Sequence, residues 1–574
     1  MIPQHKNCDI LIIEGNIRTM NASLSQASFM AIKDGIIIDI NSDDGWKKYT
    51  KSAKRVIQLR GKTIIPGWIE CHAHLLGVGE AQSILDLRSA KSEVDAADLV
   101  EMAKKKFLSK SARNQDHDHK HHRCHLDSSR PIKRWLVGRG WDQNRWPGQA
   151  MPTQHSISKN SADDLPVYLT RIDGHAAWVN KAALLESSIT KETRDPVGGL
   201  IIRDGSGVPT GVLIDTAMDL VYQKIQHEMN KDRETKRNIL REMISSAISE
   251  CLRLGITSFH DAGTDQESFD VLQDLARQEK LPLRIYSMID ARDRDFLEEA
   301  LELGPLQHPF LSRRSVKYFA DGALGSRGAW MKHPYAALKE RGLLLLREDE
   351  FQRDLKRLAE KRFQVATHAI GDAANDWILT AYEKTLKNAP KDLRFRVEHA
   401  QIVDPSDIKR FKALDIIASM QSIHCTSDMP WITDFLGQER VAKGGLYAWQ
   451  DFLRAGVTLV NGSDAPVESL NPLDGFYAGV TRQNDKSWPS DPKDAGWHHD
   501  QRMTREQALR SYTSSAAKAS FEERVKGSLE VGKWADFVLL SQDIMTIPPQ
   551  ELLKTKVVMT IVGGSVVFDS ELDS

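Results

Sequence analysis

The stretch "TIIPGWIECHAHLL", residues 63–76, decides how the rest of the chain is read. An apolar run rich in β-branched residues ends in two histidines, His72 and His74, one residue apart. In a strand alternate side chains share a face, about 6–7 Å apart along the backbone, so both imidazoles can reach one ion. A single His-x-His is a weak signal, because polar residues are common where a strand enters a loop. Its meaning depends on partners elsewhere in the chain.

Seven more strand-like segments follow: "ITSFHD", "PLRIYSMI", "SVKYFAD", "FQVATHAI", "RFRVEHA", "IIASMQ" and "VTLVNGSD". Helical patterns separate most of them. Within residues 230–254, for example, Ile239, Leu240, Met243, Ile244, Ala247, Ile248, Cys251 and Leu252 recur at helical spacing, and Gly255 stops the run. Together with the opening stretch this makes eight strands, and predicts an α/β fold, a (β/α)8 TIM-like barrel over residues 66–90 and 246–525. Short strands at 1–65 and 526–574 ("CDILIIEGNIRTM", "SFMAIKDGIIIDI", "TKVVMTIVGG") predict one composite β-sandwich domain built from both termini.

After the first barrel strand come about 150 residues more than an ordinary connection of roughly 2–6 residues and a helix needs. Residues 91–245 are therefore expected to form an inserted subdomain or lid, whose Trp141, Trp146 and Trp178 suggest an apolar cover. Within it, 110–130 is expected to be a flexible loop. That segment carries His117, His119, His121, His122 and His125, yet lacks flanking apolar residues to hold ligands in place, so it is set aside from the active site.

Lys plus Arg is 78 and Asp plus Glu is 79, a formal net charge of −1. No basic field points to nucleic acid or to an anionic membrane, and a small, roughly neutral molecule is the easier partner to defend. The five cysteines, Cys8, Cys71, Cys124, Cys251 and Cys425, are scattered and never form Cys-x-x-Cys, so neither a disulfide framework nor a thiolate zinc site is indicated. No apolar segment approaches membrane-spanning length. The expectation is a cytoplasmic protein.

Barrel enzymes carry their chemistry at the C-terminal ends of the strands. Those ends supply His72 and His74, Lys317, His368, His399 and Asp464. Each has an ordinary reading: His368 beside a helix that Asp372 caps, His399 in the core, Asp464 in a turn. Lys317 is the hardest to dismiss, since an unpaired ammonium inside "SVKYFAD" would be costly to bury. The joint pattern says more than its members.

This pattern resembles the amidohydrolase superfamily of metal-dependent hydrolases. In detail it is similar to amidohydrolase family 3, the branch with N-substituted formamide deformylases. The phrases "PGWIECHAHL", "GRGWDQNRW", "RIDGHAAWVN", "VKYFADGALGSR", "THAIGD", "VEHAQ", "GSDAPV" and "GKWADFVLL" carry the likeness over nearly the whole chain. The resemblance implies a carboxylated Lys317 bridging two ions, with His72, His74 and Asp464 on one and His368 and His399 on the other. It implies hydroxide as nucleophile and Asp464 as the catalytic proton carrier. Nitrogen and oxygen ligands without thiolates favour Zn2+, one or two ions, with Mn2+ or Fe2+ as alternatives. Trp141, Asp142, His175, Asp321, Arg327 and Gln421 are the substrate-binding candidates. The expected reaction is hydrolysis of a non-peptide carbon–nitrogen bond in an N-substituted formamide or related amide. Cyclic-amide, ester or carbamate hydrolysis, a non-catalytic regulatory relative, and a homodimer stay open.

Overall fold

The computed structural model describes residues 7–115, 135–143, 146–158, 165–171, 176–196, 199–229, 233–325, 327–336, 338–339, 341–489 and 497–572. The chain divides into two compact units, one of Met1–Leu75 with Ile248–Ser574 and one of Leu76–Ala247.

The first unit contains the barrel. Its eight parallel strands are β1 (Trp68–Ala73), β2 (Ile256–Thr264), β3 (Arg284–Asp290), β4 (Leu311–Phe319), β5 (Gln364–Ala369), β6 (Arg396–His399), β7 (Ile417–Met420) and β8 (Leu459–Asn461), paired in chain order. The ring closes just beyond the strand ends, where Asp464 N donates to His72 O at 2.7 Å and His74 N donates to Ala465 O at 2.8 Å. Closure therefore sits at the predicted ligands themselves.

Every residue of β1 is buried, as expected of a strand covered on both faces. The two-residue period sorts its side chains. Ile69 and Cys71 pack outward against Ala516, Ala517 and Ala519, which leaves Glu70 and His72 on the inner face. The helices that follow β2 and β3 bury one stripe each and start at acidic caps. Asp265 accepts from Ser268 N ahead of Gln266–Arg277, and Asp293 accepts from Phe296 N ahead of Arg294–Leu303. The helix predicted over 230–254 runs from Arg233 to Arg253 among the described residues, and Gly255, at φ 80°, turns the chain into β2.

Both termini build the β-sandwich. One sheet orders Ser565–Asp569, Val557–Val562, Phe537–Leu540, Thr63–Pro66, Asn16–Arg18 and Gln26–Ala27; the other orders Ile36–Asn41, Phe29–Lys33, Ile10–Ile13 and Arg55–Gln58. Ile12, Ile17, Met30, Ile64, Phe537 and Ile561 share a single core. Thr63–Pro66 pairs with strands from each end of the chain, so neither terminal segment completes a sheet alone.

The second unit has its own six-stranded mixed sheet, ordered Gly199–Arg203, Pro209–Asp215, Ala176–Val179, Val167–Arg171, Leu136–Trp141 and Leu85–Asp86. Its tryptophans correct the idea of an apolar cover. Trp141, Trp146 and Trp178 pack on one another with centroids 6.2–6.3 Å apart. Their indole N–H groups donate to Leu169 O, Ala90 O and Thr153 O respectively. The aromatic density thus builds this unit's core. The expected loop at 110–130 is corrected at its start, because helix Glu93–Gln115 continues through it; the five-histidine tract lies outside the described residues. Among the described residues no helix is long and apolar enough to cross a membrane.

Candidate metal centre

The strand ends converge as the barrel requires. Lys317 Nζ lies 3.2 Å from His72 Nε2, and Asp464 Oδ1 lies 3.5 Å from His72 Nε2 and 3.2 Å from His74 Nε2. The His72 and His399 rings are 4.7 Å apart, and those of His399 and His368 4.5 Å. One contiguous group thus contains all six expected ligands. His72, His399 and Asp464 alone offer three donor atoms within 4.8 Å of one another.

Two of these residues sit in strained backbone. His399 has φ 74° and Asp464 φ 60°, in the left-handed region that costs a non-glycine residue about 1–3 kcal/mol when context alone imposes it. At His399 the turn breaks the alternation of β6, so that Glu398 and His399 both serve the site. No periodicity argument anticipates that.

Buried polar partners orient the imidazoles. Glu398 Oε2 lies 2.5 Å from His72 Nδ1 and Gln421 Oε1 lies 2.7 Å from His399 Nδ1. Taking up each Nδ1–H leaves each Nε2 lone pair facing the site. Arg396, completely buried, donates from Nη2 to Glu398 Oε2, to Ser419 Oγ and across the barrel to Cys71 O. Glu70, also buried, accepts from His72 N and Ser463 N and so links β1 to the turn that carries Asp464. Sequence reasoning missed Glu70, Arg396 and Glu398. Their only signal was charge inside a strand, the same signal that singled out Lys317.

The electrostatics follow from burial. It lowers the pKa of His72 to about 4 and of His368 to about 3, and takes His399 well below the ordinary range, so all three are neutral donors at pH 7. Burial lowers Lys317 to about 8, against the support of Glu398 and Asp464. At Asp464 burial works to raise the pKa, but His74, His399, His72 and His424 outweigh it and hold the carboxyl well below the usual carboxylate range. Its Oδ1 is nevertheless buried without a hydrogen-bond partner among the described residues. A buried carboxylate oxygen with imidazole nitrogens gathered around it fits a cation, because metal ligands must be deprotonated.

The six substrate-binding candidates are placed differently. Asp321 accepts from Trp330 N, Ile370 N and Gly371 N, and so ties the loop after β4 to the turn after β5. Arg327 is exposed, with its guanidinium 4.8 Å from the Phe435 ring centre. Gln421 is the partner of His399, as above. Trp141 is corrected: it is fully buried in the second unit's core and has no surface to offer a ligand. Asp142 pairs with Arg171 at 2.7 Å. His175 lies outside the described residues. The idea that Asp372 caps its helix also changes, since Gly371 holds the cap position and Asp372 accepts from Lys332 N.

The chain is similar to known proteins over nearly its whole length. The amidohydrolase family pattern matches residues 55–568. The chain is 30% identical over 565 residues to YtcJ of Bacillus subtilis, covering 97% of this chain and 98% of that protein. It is 26% identical over 567 residues to the N-substituted formamide deformylase of Arthrobacter pascens, covering 97% of each. The crystal structure of a metal-dependent hydrolase from Pyrococcus horikoshii superposes with a TM-score of 0.73 at 26% identity, over 94% of this chain and 99% of that one. A closed barrel that brings histidines, a lysine and an aspartate to one rim, and a family match over nine-tenths of the sequence, lead to one conclusion: the chain belongs to the amidohydrolase family.

Proposed function

We propose that the protein hydrolyses a non-peptide carbon–nitrogen bond in a small amide, with N-substituted formamides as the substrate class. The observation that carries the reading is Asp464 Oδ1, buried without a well-aligned hydrogen bond among the described residues and 3.2 Å from His74 Nε2 and 3.5 Å from His72 Nε2. His72, His74 and Asp464 would hold one ion and His368 and His399 a second, with Lys317 between them. Nitrogen and oxygen donors favour Zn2+, with Mn2+ or Fe2+ as alternatives. Bound there, a divalent ion supplies Lewis-acid polarisation of the substrate carbonyl and makes a water acidic enough to attack at neutral pH.

The residues do the rest. Burial raises the neutral fraction of the Lys317 amine, the form that adds carbon dioxide: a nitrogen–carbon bond forms, the amine loses a proton, and the carbamate oxygens replace a stranded cation. Asp464, its carboxyl held below the usual carboxylate range, would take the proton of the attacking water and pass it to the leaving nitrogen. Glu398 and Gln421 keep the two imidazoles from rotating. The full-length similarity to a formamide deformylase and the near-neutral charge of the chain support the substrate class. The four described cysteines are buried and unpaired, in keeping with a cytoplasmic setting.

The test is a panel of formamides, other amides, imides, esters and carbamates offered to zinc-loaded protein. Cleavage of an N-substituted formamide to formate and an amine is expected. Turnover of esters or imides alone would replace the substrate class, and full zinc content in both His72→Ala and His399→Ala would remove the proposed site.

A further inference from the structure

His424 is a polar side chain at this rim that lies outside the ligand set. It lies in the helix Ser422–Asp428, directly after β7, and is 8% exposed. Its ring lies parallel to that of His399, 8° between planes and 5.9 Å between centres. Its Nε2 is 3.7 Å from Asp464 Oδ2 and is buried with no hydrogen-bond partner among the described residues.

The other nitrogen is held. Gln401 Nε2 lies 2.9 Å from His424 Nδ1; with that amide nitrogen as the donor, Nδ1 is the acceptor and the ring proton sits on Nε2. Gln401 reaches that position because His399 and Ala400 are both left-handed, φ 74° and 43°, which turns the chain sharply after β6. Tyr447 N then donates to Gln401 O at 2.8 Å and fixes the turn. The backbone strain that presents His399 to the site thus also builds the support for His424.

A buried N–H without an acceptor is costly, and a fold retains one where something else supplies the acceptor. At 3.7 Å the N–H falls short of a hydrogen bond to Asp464. With its proton on Nε2 the ring has no lone pair there for a metal ion.

We propose that His424, oriented by Gln401, is a catalytic residue that donates a hydrogen bond from Nε2 to the substrate's carbonyl oxygen as that oxygen gains negative charge. The inference rests on the hydrolytic reading above and adds a neutral donor to the positive charge expected at the rim. A donor placed where charge develops binds the transition state more tightly than the ground state, so its loss lowers kcat more than it raises KM.

The test compares His424→Phe, His424→Gln and Gln401→Leu in the zinc-loaded full chain. Zinc content, kcat and KM on the best substrate of the panel, and the Kd of methylphosphonate, a tetrahedral anion, are measured for each. His424→Phe is expected to keep its zinc, to lose about 100-fold or more in kcat with KM little changed, and to bind methylphosphonate more weakly. His424→Gln, whose amide can place an N–H near Nε2, is expected to recover part of both losses, and Gln401→Leu to lose less than His424→Phe. Loss of zinc in His424→Phe would make His424 a ligand and overturn the proposal. So would kcat and probe affinity within threefold of the parent. If His424→Phe does not fold, His424→Gln and Gln401→Leu decide alone: wild-type kcat and probe affinity in both overturn the role. If the parent cleaves nothing in the panel, the substrate reading fails, while the methylphosphonate comparison still decides for or against His424.

Discussion

Glu398 Oε2 lies 2.5 Å from His72 Nδ1, with both side chains wholly buried, and Arg396 Nη2 donates to the same oxygen at 3.1 Å. This chain of contacts runs from the Arg396 guanidinium to the imidazole whose Nε2 faces Lys317 and Asp464. Glu398→Gln keeps the shape and removes the charge. Zinc affinity is expected to fall about 10- to 100-fold, as for other partners of metal-bound histidine, measured by retention against graded chelator. The metal-free variant should also lose about 3–5 kcal/mol in urea unfolding, because Arg396 is left buried and unbalanced. Unchanged zinc affinity would mean that the carboxylate serves Arg396 alone.

Gly462 explains how the last strand meets the first. A Cβ there would stand 2.3 Å from Glu70 Oε1 and 2.7 Å from His72 N. Gly462→Ala must therefore push apart the contacts that join β1 to the Asp464 turn. Lower thermal stability and lower zinc content are expected together. A variant that is destabilised but binds zinc as the parent does would separate closure from ligand placement.

The proposed mechanism makes Asp464 both ligand and proton carrier, and Asp464→Asn separates the two in part. The amide keeps one ligating oxygen and cannot carry the proton. Zinc content should fall less than kcat, and kcat should fall by about 100-fold or more. Wild-type kcat with full zinc would reduce Asp464 to a turn residue.

Lys317→Ala removes the proposed bridge and should cost both zinc and turnover. A short carboxylic acid added to the variant is expected to restore part of each by occupying the vacated volume. Native mass spectrometry of the parent should show the mass of one added carbon dioxide; a plain lysine in the zinc-loaded parent would refute the carbamate.

Asp428 provides a pH test away from the ligands. Burial, opposed by a hydrogen bond from Tyr447, raises its pKa from 3.8 to about 6. The folded value lies above the unfolded one, so the stability it contributes is fully present below about pH 4 and is lost as pH rises through 6. At about 1.4 kcal/mol per unit the difference is about 3 kcal/mol. Asp428→Asn should then be more stable than the parent at pH 7.5, by roughly that amount, with the gain shrinking toward zero below pH 4. A gain independent of pH would assign the effect to packing instead.

The sequence alone determined the barrel and the six residues at its rim. Eight apolar segments alternating with helical patterns leave few other folds, and in a parallel barrel every strand points the same way, so residues as far apart as His72 and Asp464 must share one end. It also showed that both termini contribute strands. What surrounds those six residues was decided by tertiary structure. Glu398 and Gln421 matter because of the atoms they face across the barrel, and His424 because Gln401 holds one nitrogen while the other has no hydrogen-bond partner among the described residues. Such pairings join neighbouring or opposite strands, and a periodicity within one strand carries no information about them. The tryptophans show the same limit. Their number was plain, but whether they form a core or a cover depends on which faces meet, and here they meet one another.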